Sequence, residues 1–372
     1  MEDAAAAAAA PPARKPAARV AGAVAAACAV AAIALLRRGA AAGAIDTTQP
    51  AATPPRVLGP STNATPATRD LFWLHIPKCG SGFVNVACRL CCPALPPGAK
   101  FGCVADYGPD RRDHLGPQQG QCRWSGLGDV RQSSCDVAWL NGFMDAKRAE
   151  CNGGGRHLPY NATLHRGRAV GLFRSPAARV VSGYRDRLHC WPTAGCTARP
   201  ALLKAVAKET QEARRVAAYA SFCARGACVR NCATKMVLGL ECYAYAPALS
   251  PAQVAAAVAE LEGGFLVVGL TEHWDLSAAL AHAAVRGDAA VAPAELLKVR
   301  SSGDPAAQFA ALESTGAWDP RRSEAADEVL YAHAAFLFWT RAAAAGLVEP
   351  RRARRLAARA IDEVEERARR AR

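Results

Sequence analysis

Three runs of apolar residues punctuate the chain: "LFWLHI" at 71–76, "RAVGLFR" at 168–174 and "FLVVGL" at 265–270. Each is short and continuous rather than alternating, which predicts a strand buried on both faces. Helical periodicity follows each of them. "FVNVACRL" comes directly after the turn Gly80-Ser81-Gly82, and "SPAARVVSGYRDRLH" places Pro176 in the first turn of a helix. Residues 251–262 read as a helix with Ser250 as N-cap and Gly263-Gly264 as stop. "WDLSAALAHAAV" reads as a further helix, and the C-terminal region is helical, with Phe336, Leu337 and Trp339 on one apolar stretch. Residues 93–133 are loop-rich, and no internal repeat is visible. Buried strands alternating with helices predict an α/β fold, a central parallel sheet flanked by helices.

The pattern is different before residue 70. "VAGAVAAACAVAAIALL", 20–36, carries no charge and is bracketed by Arg19 and by Arg37-Arg38. It reads as an uncleaved signal-anchor, with a cleaved signal peptide and a transit peptide as the competing readings. Residues 39–68 are rich in Pro, Thr, Ala and Gly without apolar periodicity, as in an extended stem. The expected organisation is therefore a cytoplasmic tail at 1–19, a transmembrane helix at 20–36 and a stem at 37–69. A folded domain at 70–345 and a basic C-terminal helix at 346–372 complete it.

Composition bears on compartment and partners. The 15 cysteines include local clusters at Cys88, Cys91 and Cys92, at Cys190 and Cys196, and at Cys223, Cys228, Cys232 and Cys242. Such clusters fit a disulfide framework in an oxidising lumen. A zinc site is disfavoured, because Cys88-x2-Cys91 has no second such pair and no histidines at ligand spacing. Asn63-Ala-Thr65 and Asn161-Ala-Thr163 are glycosylation sequons. Together these features predict a single-pass type II membrane protein with a luminal domain. The net charge of +14 calls for a polyanionic partner, although part of it sits in the two tails as a solvated face or a juxtamembrane patch. No aromatic residues interleave the basic runs, which argues against nucleic acid.

The candidate chemistry begins at "HIPKCGSGF", 75–83. A strand, a glycine turn and a helix N-terminus form a general phosphate site, and Lys78 adds a point charge. It is not a Walker A loop, because the lysine precedes the glycines, and GxGxxG is absent too. A second cationic group, Arg174, ends the second strand, and Ser182 follows it by eight residues on the next helix. Two anion sites at the carboxyl ends of parallel strands fit one ligand with two separated phosphates.

These residues resemble the carbohydrate sulfotransferases of the Golgi type, which use PAPS, 3′-phosphoadenylyl sulfate, as donor. "HIPKCGSGF" looks like their loop for the 5′-phosphosulfate, and "FRSPAARVVSGY" is similar to their 3′-phosphate motif R-D-P-x-x-R-x-x-S-x-Y. "FLVVGLTEHWDLSAALAH" resembles a late segment of the glycan-directed members, so the likeness spans roughly 70–285. It implies a P-loop-like sulfotransferase fold over 70–345, a Golgi membrane location and transfer of a sulfuryl group to a glycan hydroxyl. Lys78, Cys79, Gly80, Ser81, Gly82 and Phe83 would surround the 5′-phosphosulfate, and Arg174 and Ser182 would hold the 3′-phosphate. PAPS is the implied co-substrate, the glycan is the implied partner, and no metal is required. Cys79 stands where threonine is commoner, as a free thiol or a bridge, and Ser175 where aspartate is commoner. Lys78 is the expected stabiliser of the leaving phosphate. For the general base, Asp136 is favoured by position and His165 by chemistry, with His157 and His114 behind them. The alternative is a catalytically inactive Golgi-resident binding protein of the same fold.

Overall fold

The computed structural model describes residues 71–80, 83–91, 100–101, 124–125, 157–185, 214–216, 218–219, 230–242, 249–296 and 324–370. The apolar segment 20–36, the stem, Ser81, Gly82, Asp136, His114 and Cys92, Cys190, Cys196, Cys223 and Cys228 lie outside them. In chain order the elements are β1 (Phe72–Leu74), α1 (Val84–Cys91), β2 (Lys100–Phe101), β3 (Trp124–Ser125), α2 (Ala162–His165), β4 (Ala169–Phe173) and α3 (Pro176–Arg185). They continue as α4 (Cys232–Val237), α5 (Pro251–Gly264), β5 (Phe265–Leu270), α6 (Trp274–Arg286), α7 (Ala325–Ala344) and α8 (Pro350–Arg370). Short 3-10 turns occupy Thr271–His273 and Pro293–Leu296.

The three apolar runs form one parallel sheet in the order β1-β4-β5, with Leu74 opposite Gly171 and Phe173 opposite Leu270. β4 lies between two neighbours and is buried at every position, which is why its sequence does not alternate. Successive strand residues point to opposite faces. Leu172 accordingly packs with Trp274 of α6, close against Gly80, while Phe173 meets Phe265. α5, α6 and α7 all pack against β5. β2 and β3 form a separate antiparallel pair that the apolar pattern did not announce.

Local chemistry explains the helix ends. Ser250 caps α5 in a reciprocal box with Gln253, followed by Pro251 at the first turn. The helix ends at Gly263 and Gly264, as the sequence predicts, but it includes both glycines. They are its last residues, neither has a positive φ, and β5 starts at the next residue. Gly264 is small for packing: a Cβ there would collide with the Tyr160 hydroxyl.

The basic C-terminal segment is part of the core rather than a tail. α8 packs along α7 and buries Ala353, Ala357 and Val364, while Arg351, Arg352, Arg354, Arg355 and Arg359 face solvent. Cys232 and Cys242 form a disulfide that closes α4 onto the turn behind it. No helix among the described residues is long and apolar enough to cross a membrane.

Candidate functional site

Because the sheet is parallel, the residues that follow β1, β4 and β5 emerge at one edge. They are joined there by hydrogen bonds. The Arg174 guanidinium donates to the Lys78 carbonyl at 3.2 Å, the Ser175 N–H to a Glu272 carboxylate oxygen at 2.9 Å, and the Thr271 hydroxyl to the Phe173 carbonyl at 3.1 Å. All three motifs read in the sequence therefore meet, and the two cationic residues assigned to an anionic ligand lie on neighbouring turns.

The turn at Lys78 is unusual in its backbone. Lys78 has φ +65° and Gly80 φ +88°, so two left-handed residues reverse the chain within three positions. For a lysine this conformation costs about 1–2 kcal/mol, and it persists because the surrounding packing fixes it. Gly80 is required twice over, by its φ and by space: a Cβ would lie 2.7 Å from a Leu172 methyl and 2.8 Å from the Trp274 ring. Trp274 cannot yield easily, being buried with its indole N–H bonded to the Glu295 carbonyl at 2.8 Å.

The expected ligand shell is modified by this geometry. Cys79 is a free, buried thiol, which settles the choice between thiol and bridge. Burial pushes it up to about 12, against the pull of Arg179 and Arg174, so it stays protonated and unreactive. Its N–H bonds the Ile76 carbonyl, and the Phe83 N–H bonds the Gly80 carbonyl, so neither amide points at a ligand. The Phe83 side chain is fully buried, edge-on to Trp274 at 5.7 Å. Cys79 and Phe83 thus brace the loop through buried contacts. Lys78, Gly80 and Arg174 meet at this turn, and α1 begins just beyond it.

Two buried charged clusters hold this edge in place. Arg89 of α1 and His282 of α6 share Glu295, at 3.4 and 2.6 Å, which ties the first motif's helix to the third's. Arg179 of α3 donates to Glu324 at 2.8 Å and Asp327 at 2.6 Å, and all three side chains are at most 2% exposed. Asp327 also accepts from the Thr234 N–H and hydroxyl and from the Ala233 N–H, while Glu324 accepts from the Asn231 N–H. Burial pushes Glu324 up to about 7 despite Arg179 beside it, and Lys235 down to about 8. Ser182 is buried one turn beyond Arg179 on α3.

The histidines sort by position. His165 lies before β4, at the starting end of the sheet, stacked on Phe72 at 3.5 Å and accepting the Asn161 N–H at its Nδ1. The five residues of β4 separate it from Arg174 by about 16 Å. Of the two candidates for the base, it is the one that the geometry removes from Lys78 and Arg174. His157 is instead beside the first motif. Its Nδ1 lies 2.7 Å from the His75 carbonyl and its ring 4.5 Å from the His75 ring. A carbonyl only accepts, so Nδ1 carries the proton and Nε2 is the basic nitrogen. His273 is also at this edge, packed on Phe338 and Trp339, with burial holding it below the usual imidazole range.

Together the fold and this edge define an α/β protein whose parallel strands end in a cationic, braced turn. Comparison with family models, with curated proteins and with solved structures finds no match for the chain.

Proposed function

We propose that this chain transfers a sulfuryl group from PAPS to a hydroxyl of a glycan, from a luminal domain anchored in the Golgi membrane by residues 20–36. The observation that carries the reading is the junction of Arg174 with the Lys78 turn at the carboxyl edge of β1 and β4. It puts the two cationic groups of the sequence motifs on adjacent turns, as a donor with a 5′-phosphosulfate and a 3′-phosphate requires. Arg174 and Ser182 hold the 3′-phosphate, and the Lys78 turn cradles the phosphosulfate. In the reaction the acceptor oxygen bonds to sulfur as the bond from sulfur to the phosphate oxygen breaks. Negative charge then builds on that oxygen, where Lys78 stabilises it, and the acceptor proton passes to a base.

Calorimetry with adenosine 3′,5′-bisphosphate tests the site. Arg174→Ala should lose about 1.5–3 kcal/mol, roughly 10- to 150-fold in affinity, because it removes a charge-assisted hydrogen bond. Lys78→Ala should lower turnover more than product affinity, since its contribution grows in the transition state. Unchanged affinity in the Arg174 variant refutes the assignment. Donor binding without transfer to any glycan would instead identify a binding protein of this fold.

A further inference from the structure

Asn161 and Thr163 of the second sequon are exposed and form the start of α2. Asn161 is extended, with φ −122° and ψ 111°, and its Oδ1 accepts the N–H groups of Thr163 at 3.0 Å and Leu164 at 3.2 Å. The cap uses only the oxygen of the carboxamide. Nδ2, the atom that carries a sugar in an N-linked glycan, takes no part in it, and the linkage leaves Oδ1 an acceptor. Glycosylation and the cap are therefore compatible.

A second observation concerns the surface around it. Among the described residues, the exposed large apolar side chains are Leu158 (47%), Leu164 (57%), Leu240 (37%) and Leu296 (38%). Leu158 and Leu164 flank Asn161 in the chain. Leu240 follows Gly239, where a Cβ would sit 3.2 Å from the Tyr160 carbonyl. Single exposed leucines are ordinary, but two within three residues of Asn161, and a third beside a glycine that approaches its neighbour Tyr160, need a reason.

We propose that Asn161 is an N-glycosylation site and that its glycan covers this leucine patch. A bond forms from Nδ2 to the anomeric carbon of a lipid-diphosphate-linked oligosaccharide. The bond from that carbon to the phosphate oxygen breaks, and the amide proton leaves with the lipid diphosphate. The site is at the starting end of the sheet, with α2 stacked through His165 on Phe72. That is the far end from Lys78 and Arg174, so the sugar does not obstruct the anion-binding edge. The proposal rests on the luminal topology and is independent of the donor chemistry.

The test uses the full chain expressed in a eukaryotic secretory host, with and without Asn63→Gln, and compares mobility before and after glycosidase. In the Asn63→Gln background, Thr163→Ala should abolish the glycosidase-dependent shift and Thr163→Ser should retain it. Neither touches the Asn161 cap, which uses the backbone N–H of residue 163. An unshifted Asn63→Gln chain, with Asn63 glycosylated in the parent, overturns the site and leaves the luminal topology standing. A chain glycosylated at neither sequon overturns both. Enzymatic deglycosylation of the folded protein should raise self-association in sedimentation, and Leu158→Ser with Leu164→Ser should abolish the rise. No rise overturns the covering role.

Discussion

Replacing Arg179 by Met removes the guanidinium that bonds both Glu324 and Asp327 while nearly keeping side-chain volume. Truncating one partner of a buried ion pair typically costs about 3–5 kcal/mol, because the remaining charge is stranded. Asp327 keeps three donors from Ala233 and Thr234, and Glu324 keeps the Asn231 N–H, so the low end, about 3 kcal/mol, applies. The loss should depend on pH. Glu324 is raised from 4.5 to about 7 in the folded protein, so the stability linked to its proton is fully present below 4.5 and is lost as pH rises through 7. Without Arg179 its carboxyl is held higher still. At pH 5 it is neutral and tolerates the loss, whereas at pH 8 it must either ionise unpaired or take up a proton at a cost. Urea unfolding followed by tryptophan fluorescence at both pH values measures the difference. A loss below about 1 kcal/mol at pH 8, or an equal loss at both pH values, would show that the cluster does not carry this charge balance.

Gly80→Ala should destabilise the chain by about 2–4 kcal/mol, from the left-handed φ and from overpacking against Trp274 and Leu172. It should also weaken binding of adenosine 3′,5′-bisphosphate, and calorimetry beside a melting curve checks both. For the base, His157→Gln should reduce sulfuryl transfer by about 10²–10⁴ with product affinity intact, while His165→Gln should leave turnover within about threefold. Equal turnover in the wild type and the His157 variant directs attention to Asp136. Cys232→Ser should lower the urea midpoint by opening the link to Cys242, and reductant should then have less effect on the variant than on the wild type.

The elements that sequence reveals here are those written in local pattern. The three strands, the cap at Ser250 and Pro176 at the head of α3 each depend on residues within one turn or one run, and each is where its pattern places it. The glycine pair at 263–264 ends α5 as its composition suggests, but the space that Gly264 leaves for the Tyr160 hydroxyl, about a hundred residues earlier in the chain, is not legible there. Distance along the chain also hid the supports of the site. Arg179 belongs to the motif "FRSPAARVVSGY", which holds no carboxylate, and its partners are 145 and 148 residues away. His157 and His75 are 82 residues apart, and neither has a neighbour that announces the other. His165 precedes the second strand in the chain, and its place at the starting end of the sheet follows from that order. The basic run beyond residue 350 resembles a solvated tail in composition. Its alanines and Val364 recur at helical spacing, and that signal places it against α7.

The separation between Arg179 and its carboxylates also sets an order of assembly. A chain leaving the ribosome presents β1, β4 and α3 long before α7 exists. Until Glu324 and Asp327 emerge, the Arg179 guanidinium lacks the two carboxylates that it bonds in the folded chain. The ligand edge is then only loosely organised, however complete its own three motifs are. Any chain ending before residue 324 would retain every recognisable motif and still leave α3 without its counter-charges. Such a product should be less stable than the full chain. Completion of the fold thus waits on a helix that contains none of the motif residues.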